Sequence, residues 1–385
     1  MRYESARLAD FSVSGNNKRL RSFDTSFFVL VILLLTMGLV MVLSSSYARA
    51  YYDPGNVTGG NALYYFVRQL LFALLGVGAM LIASRVPMSV YKYFSLHFLI
   101  FVLILLLLVP FIGVKANGAR RWLGVGGLTV QPSELAKLAV VLSFSWLICK
   151  FRGRMSTVRY GIMPFAGILV LIVALLVLEP HFSASVIIIA IAGVMLFLGG
   201  VRLVWFVSAF GAAAGGIAVL FTFFPYASSR INTWRDPFSS ASDEGYQIVQ
   251  SLYSIGSGGL SGLGLGGSRQ KYLYLPEEHN DFIFSVVCEE LGFIGASLIL
   301  VLFSMLILRG YWIALHSPDR YSFLVTAGLI SLLAIQVFLN VAVVTNLIPC
   351  TGISLPFFSY GGTALLIELC EMGIILSASR DTITY

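Results

Sequence analysis

The chain has 385 residues, of which 58% are hydrophobic and 11% charged, with a mean hydropathy of +0.89. No soluble core can absorb that much apolar surface, so the composition is that of a membrane protein. The net charge of +7 does not indicate nucleic acid, because Lys and Arg fall mostly in short segments between apolar runs. Cys149, Cys288, Cys350 and Cys370 show no CxxC pairing or ligand spacing and read as small core residues.

In chain order, residues 1–25 form a polar, basic tail. The run that follows is too long for the apolar part of a signal peptide, so the first span is expected to remain as an anchor. A helix needs about 20 mainly apolar residues to cross a bilayer. Ten stretches qualify: 26–47, 64–84, 93–112, 133–150, 161–179, 182–200, 203–224, 282–308, 322–345 and 358–378. The expected fold is an all-α integral membrane protein of about ten transmembrane helices, forming one membrane domain over 26–378. An even number of spans puts both termini on one side, including the tail 379–385. That side carries Arg85, Lys92, Lys150, Arg152, Arg154 and Arg202, which marks it as cytoplasmic. The connection 225–281, between spans seven and eight, is then a large extracytoplasmic loop. The least secure boundaries are Glu179-Pro180-His181 and Gly199-Gly200, where only a few residues join consecutive spans.

Ionisable groups within spans are costly and tend to mark function. In QPSELAK, Glu134 and Lys137 stand at i and i+3 on one helix face and can neutralise each other, either as a structural ion pair or as part of a site. The Gly-rich loop before them carries Lys115, Arg120, Arg121 and Trp122. Interfacial anchoring is one reading of that group, and guanidinium binding of phosphate oxygens is the other. In the long connection, Gly262, Gly264 and Gly267 match GxGxxG, but no strand precedes them and a dinucleotide site fails on context. Those glycines, followed by Arg269 and Lys271, could bring backbone amides and two cations to an anionic head group, or form a re-entrant loop. Next comes LPEEHNDFIFSVVCEELG, where Glu277, Glu278, His279 and Asp281 precede an apolar run that Glu289 and Glu290 interrupt. Asp281 stands where a helix cap is ordinary. No recognised ligand spacing supports a metal cluster of Glu277, His279 and Asp281, and no nucleophile elbow supports Ser-His-Asp hydrolysis.

Three long stretches in this order resemble one family, the SEDS proteins (shape, elongation, division and sporulation), of the FtsW type. They are GARRWLGVGGLTVQPSELAK (118–137), EGYQIVQ through EELGFIG (244–295) and NLIPCTGISLPFFSYGGTALL (346–366). The compact join from GLGLGGSRQKY into LPEEHNDF is similar to the FtsW and sporulation branch rather than to RodA. The resemblance implies a multi-pass protein of the bacterial cytoplasmic (inner) membrane that polymerises lipid II into glycan. Its implied partners are a class B penicillin-binding transpeptidase and other division proteins, in division or sporulation. It further implies that the family's essential aspartate corresponds to Asp281, and its paired acidic and basic residues to Glu134 and Lys137. Two departures stand out. Where the family usually has an aspartate the chain has His181, and Glu368 and Glu371 occupy positions more usually apolar or amide.

A site outside the cytoplasm has no nucleotide supply, so its donor must arrive already activated, as a polyprenyl diphosphate sugar does. The acceptor hydroxyl would attack the anomeric carbon with a single inversion, and one carboxylate suffices as general base. Asp281 is the expected base. Its nearby helix N-terminus favours the ionised form and so weakens it as a base. Arg120, Arg121, Arg269 and Lys271 are the expected cations for the leaving diphosphate, with Glu134, Lys137 and His279 completing the substrate-binding candidates. A divalent cation, Mg or Mn, could assist, although no residue pattern calls for one. Glu289 lies eight residues beyond Asp281, about 12 Å deeper at 1.5 Å per residue, and is expected to be architectural. The rival classes are a flippase for lipid-linked precursor and a non-catalytic division scaffold.

Overall fold

The computed structural model describes residues 22–52, 57–116, 119–125, 128–208, 232–243 and 245–382. Its helices are α1 (Thr25–Tyr52), α2 (Tyr64–Ala83), α3 (Met88–Ile112), α4 (Pro132–Lys150), α5 (Val158–Gly161), α6 (Met163–Leu178), α7 (Phe182–Gly199), α8 (Tyr246–Gly258), α9 (Ile283–Leu315), α10 (Arg320–Val344) and α11 (Gly362–Arg380). Among the described residues nine helical segments are long and apolar enough to cross a membrane, α5 and α6 counting as one. The expected seventh span, 203–224, falls mostly outside the described residues, where only 203–208 are seen, as helix. Residues 1–21 of the tail 1–25, the last residues of 379–385 and part of the connection 225–281 also lie outside them.

Local sequence sets the breaks. Pro132 opens α4 at its first turn, where a missing N–H is harmless. Glu179-Pro180-His181 separates α6 from α7, and Gly200 ends α7 in the left-handed conformation at φ 84°. Asp319 caps α10 by accepting from the backbone N–H groups of Tyr321 and Ser322. Helices α4, α10 and α11 are mostly buried, whereas α2, α3 and α9 present Leu74, Leu75, Ile82, Ile100, Phe111 and Leu308 outward, as a lipid-facing layer does. Between α2 and α11 the approach is close because side chains are absent: a Cβ on Gly76 would lie 2.5 Å from Leu369, and one on Gly373 would lie 2.5 Å from the Met80 carbonyl oxygen.

The all-α expectation needs one addition. Residues 114–130 form a three-stranded antiparallel sheet, β1 (Val114–Ala116), β2 (Ala119–Val125) and β3 (Leu128–Val130), in the order β1-β2-β3. Leu123 pairs with Val130, and Lys115 with Arg120. Apolar periodicity does not reveal strands this short and polar. The sheet sits at the end of the bundle where α1, α3, α6 and α10 finish and α2, α4, α7, α9 and α11 begin.

The connection before α9 is not a simple surface loop. Helix α8 packs against α9, and the glycines after it run beside a break in that helix at Gly292, φ 67°. Backbone pairs join the two: Leu263 N–H donates to the Glu289 carbonyl, Gly264 N–H to that of Glu290, and Phe293 N–H to that of Gly259. A Cβ on Gly262 would lie 2.2 Å from the Glu290 carbonyl oxygen, so only glycine permits this docking. The glycine stretch therefore serves packing, and the amides of Ser268 and Arg269 that follow it donate to the Glu290 and Glu289 carboxylates.

Candidate active site

At the sheet end a cavity of about 290 Å³ opens among Arg121, Trp122, Gln131, Glu134, His181, Glu277, Asn280, Asp281, Gly352, Tyr360 and Glu368. Asp281 precedes α9 by two residues. Its carboxylate receives no hydrogen bond from any described residue and caps nothing, although capping was the ordinary reading of its position. What holds it is its backbone. One amide group, Nδ2 of Asn340, donates both to the Asp281 carbonyl at 2.8 Å and to the Ile353 carbonyl at 2.7 Å. Ser359 Oγ donates to the Asn280 carbonyl, Tyr360 N–H donates to the His279 carbonyl, and Gln69 accepts from Gly361 N–H while donating to the Ser359 carbonyl. The segment 279–281 is thus sewn to the loop that begins α11. Gly352 leaves room for the carboxylate, since a Cβ there would lie 2.6 Å from Asp281 Oδ2.

The electrostatics of Asp281 reverse the expectation from its helix terminus. Burial, reinforced by Glu277 and only partly offset by Arg121, pushes its pKa up to about 7. Desolvation outweighs a helix N-terminus here, because the latter contributes well under a unit at ordinary geometry, about 0.3–1 kcal/mol. A carboxylate poised near neutrality is a stronger base than a solvated one.

The expected cations divide. Neighbouring residues of a strand face opposite ways. Arg120 turns to the end of α3 and donates to the Pro110 and Phe111 carbonyls, while Arg121 faces the cavity and donates to the Pro180 carbonyl at 2.5 Å. Lys271 is not available to a ligand: its ammonium is buried, 2.9 Å from Glu290 and 3.1 Å from Ser44 Oγ. Arg269 is exposed on the glycine loop and does not line the cavity. Of the four expected cations, only Arg121 lines this cavity.

His279 also stands apart from the cavity. It packs on the rings of Tyr65 and Tyr360, with centroids 4.8 and 5.7 Å away, and does not line the cavity. Burial, with Arg49 nearby, pushes its pKa down to about 3, so it is neutral. Glu278 accepts a two-point interaction from Arg49 at 2.8 and 3.0 Å. Glu134 and Lys137 pair at 2.6 Å, and Glu134 reaches the cavity wall. Among the described residues no group of three His, Cys, Asp or Glu side chains could hold a metal ion. Glu277 and Asp281 face the cavity while His279 faces the tyrosines, so no step is derived through a metal.

Gln69, Asn340 and Ser359 were missed in the sequence, although the first two are amides within apolar helices, which is a usable signal. Beside the cavity lies a second unforeseen group. Both Glu179 oxygens, His181 Nδ1 and Arg121 Nε are buried without a hydrogen-bond partner among the described residues. Burial pushes Glu179 up to about 8, against the pull of Arg121, and pushes His181 down to about 3.

A polytopic helical membrane protein with a carboxylate-rich cavity at one end is the class these features define. The chain belongs to the cell cycle protein family of FtsW, RodA and SpoVE, which matches residues 24–383, as the SEDS motifs implied. It is 41% identical to stage V sporulation protein E of Bacillus subtilis, over 93% of this chain and 97% of that one. It is 36% identical to a probable peptidoglycan glycosyltransferase FtsW of Trichlorobacter lovleyi, over 94% of each. Among solved structures it is similar to a chain of a peptidoglycan synthase complex that coordinates polymerization and crosslinking, with 26% identity, a TM-score of 0.78, and 93% and 98% of the two chains covered. It is also similar to a crystallised point mutant of the rod shape determining protein RodA of Thermus thermophilus, with 26% identity, a TM-score of 0.67, and 94% and 99% covered.

Proposed function

We propose that this protein is a peptidoglycan glycosyltransferase that polymerises lipid II, with Asp281 as general base. The carrying observation is the Asp281 carboxylate: fixed through its backbone, unengaged by protein donors, and held near pKa 7 in a cavity that also contains Arg121. The acceptor sugar hydroxyl attacks the anomeric carbon of the growing chain. Its proton passes to Asp281, a carbon–oxygen bond forms, and the bond to the lipid diphosphate breaks on the opposite face. Arg121 stabilises the departing negative charge. Relatives named as peptidoglycan glycosyltransferases support the reaction class.

The site faces the extracytoplasmic side of the bacterial cytoplasmic membrane, because the opposite end of the bundle carries the basic segments around Arg85, Lys150 and Arg152. A class B penicillin-binding transpeptidase is the proposed partner, by analogy with the synthase complex that the chain resembles. A flippase would need working groups along a path through the bundle. The two candidates deepest in α9, Glu289 and Glu290, are instead occupied by internal donors.

Purified protein supplied with lipid II should make glycan. Asp281→Asn should bind lipid II yet lose about 10²- to 10⁴-fold in polymerisation, the usual contribution of a general base. Glycan synthesis by Asp281→Asn at the wild-type rate would remove the assignment.

A further inference from the structure

The cavity lining is unequally charged. Arg121 enters it from β2, while Glu134, Glu277, Asp281 and Glu368 contribute carboxylates. Lys137 pairs with Glu134 and its charge also reaches Glu368, which leaves the acids of the lining in excess over the cations. A diphosphate is attracted to the Arg121 end and repelled from the rest. The portion of a substrate that enters among the acids is therefore its neutral portion. Sugar hydroxyls and amide N–H groups are donors, and carboxylate oxygens are acceptors, so a sugar ring suits this lining.

Glu368 is the least explained of these acids. It lies six residues past Gly362, the first residue of α11, or about 9 Å along the helix at 1.5 Å per residue. It is only 6% exposed. One oxygen, Oε2, accepts from Phe357 N–H at 3.2 Å and so anchors the loop before α11. No described residue donates to Oε1, which belongs to the cavity wall and is not sealed beneath it. A carboxylate inside a membrane helix with one oxygen unused is expensive unless something occupies it. His181 lines the same cavity and is 8% exposed, but its Nδ1 is sealed from the cavity, with no hydrogen-bond partner among the described residues, and offers a ligand no contact. Its neutrality means that it is no counter-cation for Glu368. His181 and Glu368 are also two of the positions where the chain departs from the pattern it resembles.

We infer that Glu368 is a substrate-binding residue of this chain, its free oxygen accepting a hydrogen bond from a hydroxyl or amide N–H of the sugar held beside Asp281. This rests on the polymerase reading for its substrate class. Under it, the sugar points into the acidic part of the cavity and the diphosphate stays with Arg121.

Glu368→Gln separates this role from the anchoring one. Glutamine keeps a carbonyl oxygen for Phe357 N–H and replaces the cavity-facing acceptor with a donor. Initial polymerisation rates against lipid II concentration should show KM raised about tenfold or more, the scale of one charge-assisted hydrogen bond. kcat should stay within about threefold and the thermal midpoint should not change. Glu368→Ala should show the same rise in KM together with a lowered midpoint. An unchanged KM in Glu368→Gln overturns the inference and leaves Glu368 as an anchor. A fall in kcat at constant KM overturns it too, because the group would then act on the chemical step. If the wild-type protein makes no glycan, the polymerase reading fails separately. Equilibrium binding of lipid II then decides the inference: equal affinity of wild type and Glu368→Gln ends it, and weakened binding supports it.

Discussion

Two acidic groups stand within ten residues of each other around the start of α9, and they are treated in opposite ways. Glu289 accepts from Ser254 Oγ, Ser268 Oγ and the Arg269 N–H, and Glu290 accepts from Ser44 Oγ, the Ser268 N–H and Lys271. Every one of these donors belongs to the glycine loop, α8 or α1. Asp281 is given no donor by any described residue, and burial raises its pKa. Carboxylates with filled acceptors hold elements together, and a carboxylate whose acceptors the fold leaves empty is available to a ligand. Composition gives the two groups the same appearance, and only their partners separate them.

The comparison breaks most visibly at Glu290. Removing one member of a buried ion pair leaves an uncompensated charge, so Glu290→Ala should destabilise by about 3–5 kcal/mol, read as a loss of folded protein and of thermal midpoint. Lys271→Met combined with Glu290→Met should recover much of that loss, because two buried charges disappear together. A stable but inactive Glu290→Ala protein would move Glu290 into the working group and erase the distinction.

A smaller effect sharpens the contrast between neighbours on β2. Arg121→Ala should reduce polymerisation by about 1.5–3 kcal/mol in transition-state terms, the range of hydrogen bonds to charged groups. Arg120→Ala, which loses only exposed contacts to the end of α3, should remain within about threefold at equal folded protein. Equal losses would show that the sheet acts as a unit.

Smallest is the effect of pH. The base form of Asp281 is the deprotonated one, and its folded pKa of about 7 stands above the ordinary 3.8. The rate should therefore fall as pH drops through 7, to about a tenth of its plateau at one unit below that pKa. Stability runs the other way. The folded state keeps a proton that the unfolded chain has released, so stability is full below about 4 and declines as pH rises through about 7. Asp281→Asn should raise the thermal midpoint at pH 8 and leave it nearly unchanged at pH 4. A rate profile flat between pH 5.5 and 8 would exclude Asp281 as the titrating base.

Much of this was legible in the sequence for definite reasons. Apolar runs marked the spans, and Pro180 and Gly200 marked two of the breaks. The i, i+3 spacing of Glu134 and Lys137 foretold their ion pair. What was not legible depended on contacts between distant segments. Ser44 meets Glu290 across 246 positions, and Gln69 meets Ser359 across 290, and no local pattern encodes either. Arg120 and Arg121 were inseparable until a strand turned them to opposite faces. The direction of the shift at Asp281 was misjudged because a helix terminus can be read locally, whereas desolvation is a property of the assembled fold.

The break in α9 at Gly292, with the glycine loop lying against it, bears on how this protein tolerates change. Gly258, Gly262 and Gly292 exclude every side chain: an added Cβ would sit 2.0, 2.2 and 2.3 Å from backbone atoms of the facing segment. No compensating replacement across the contact exists, since the facing atoms are backbone and no substitution removes them. A saturation screen scored by cell growth would rank these three glycines beside Asp281, although they lie outside the cavity. Protein abundance measured in the same screen would separate them, being lost with the glycines and retained in Asp281→Asn.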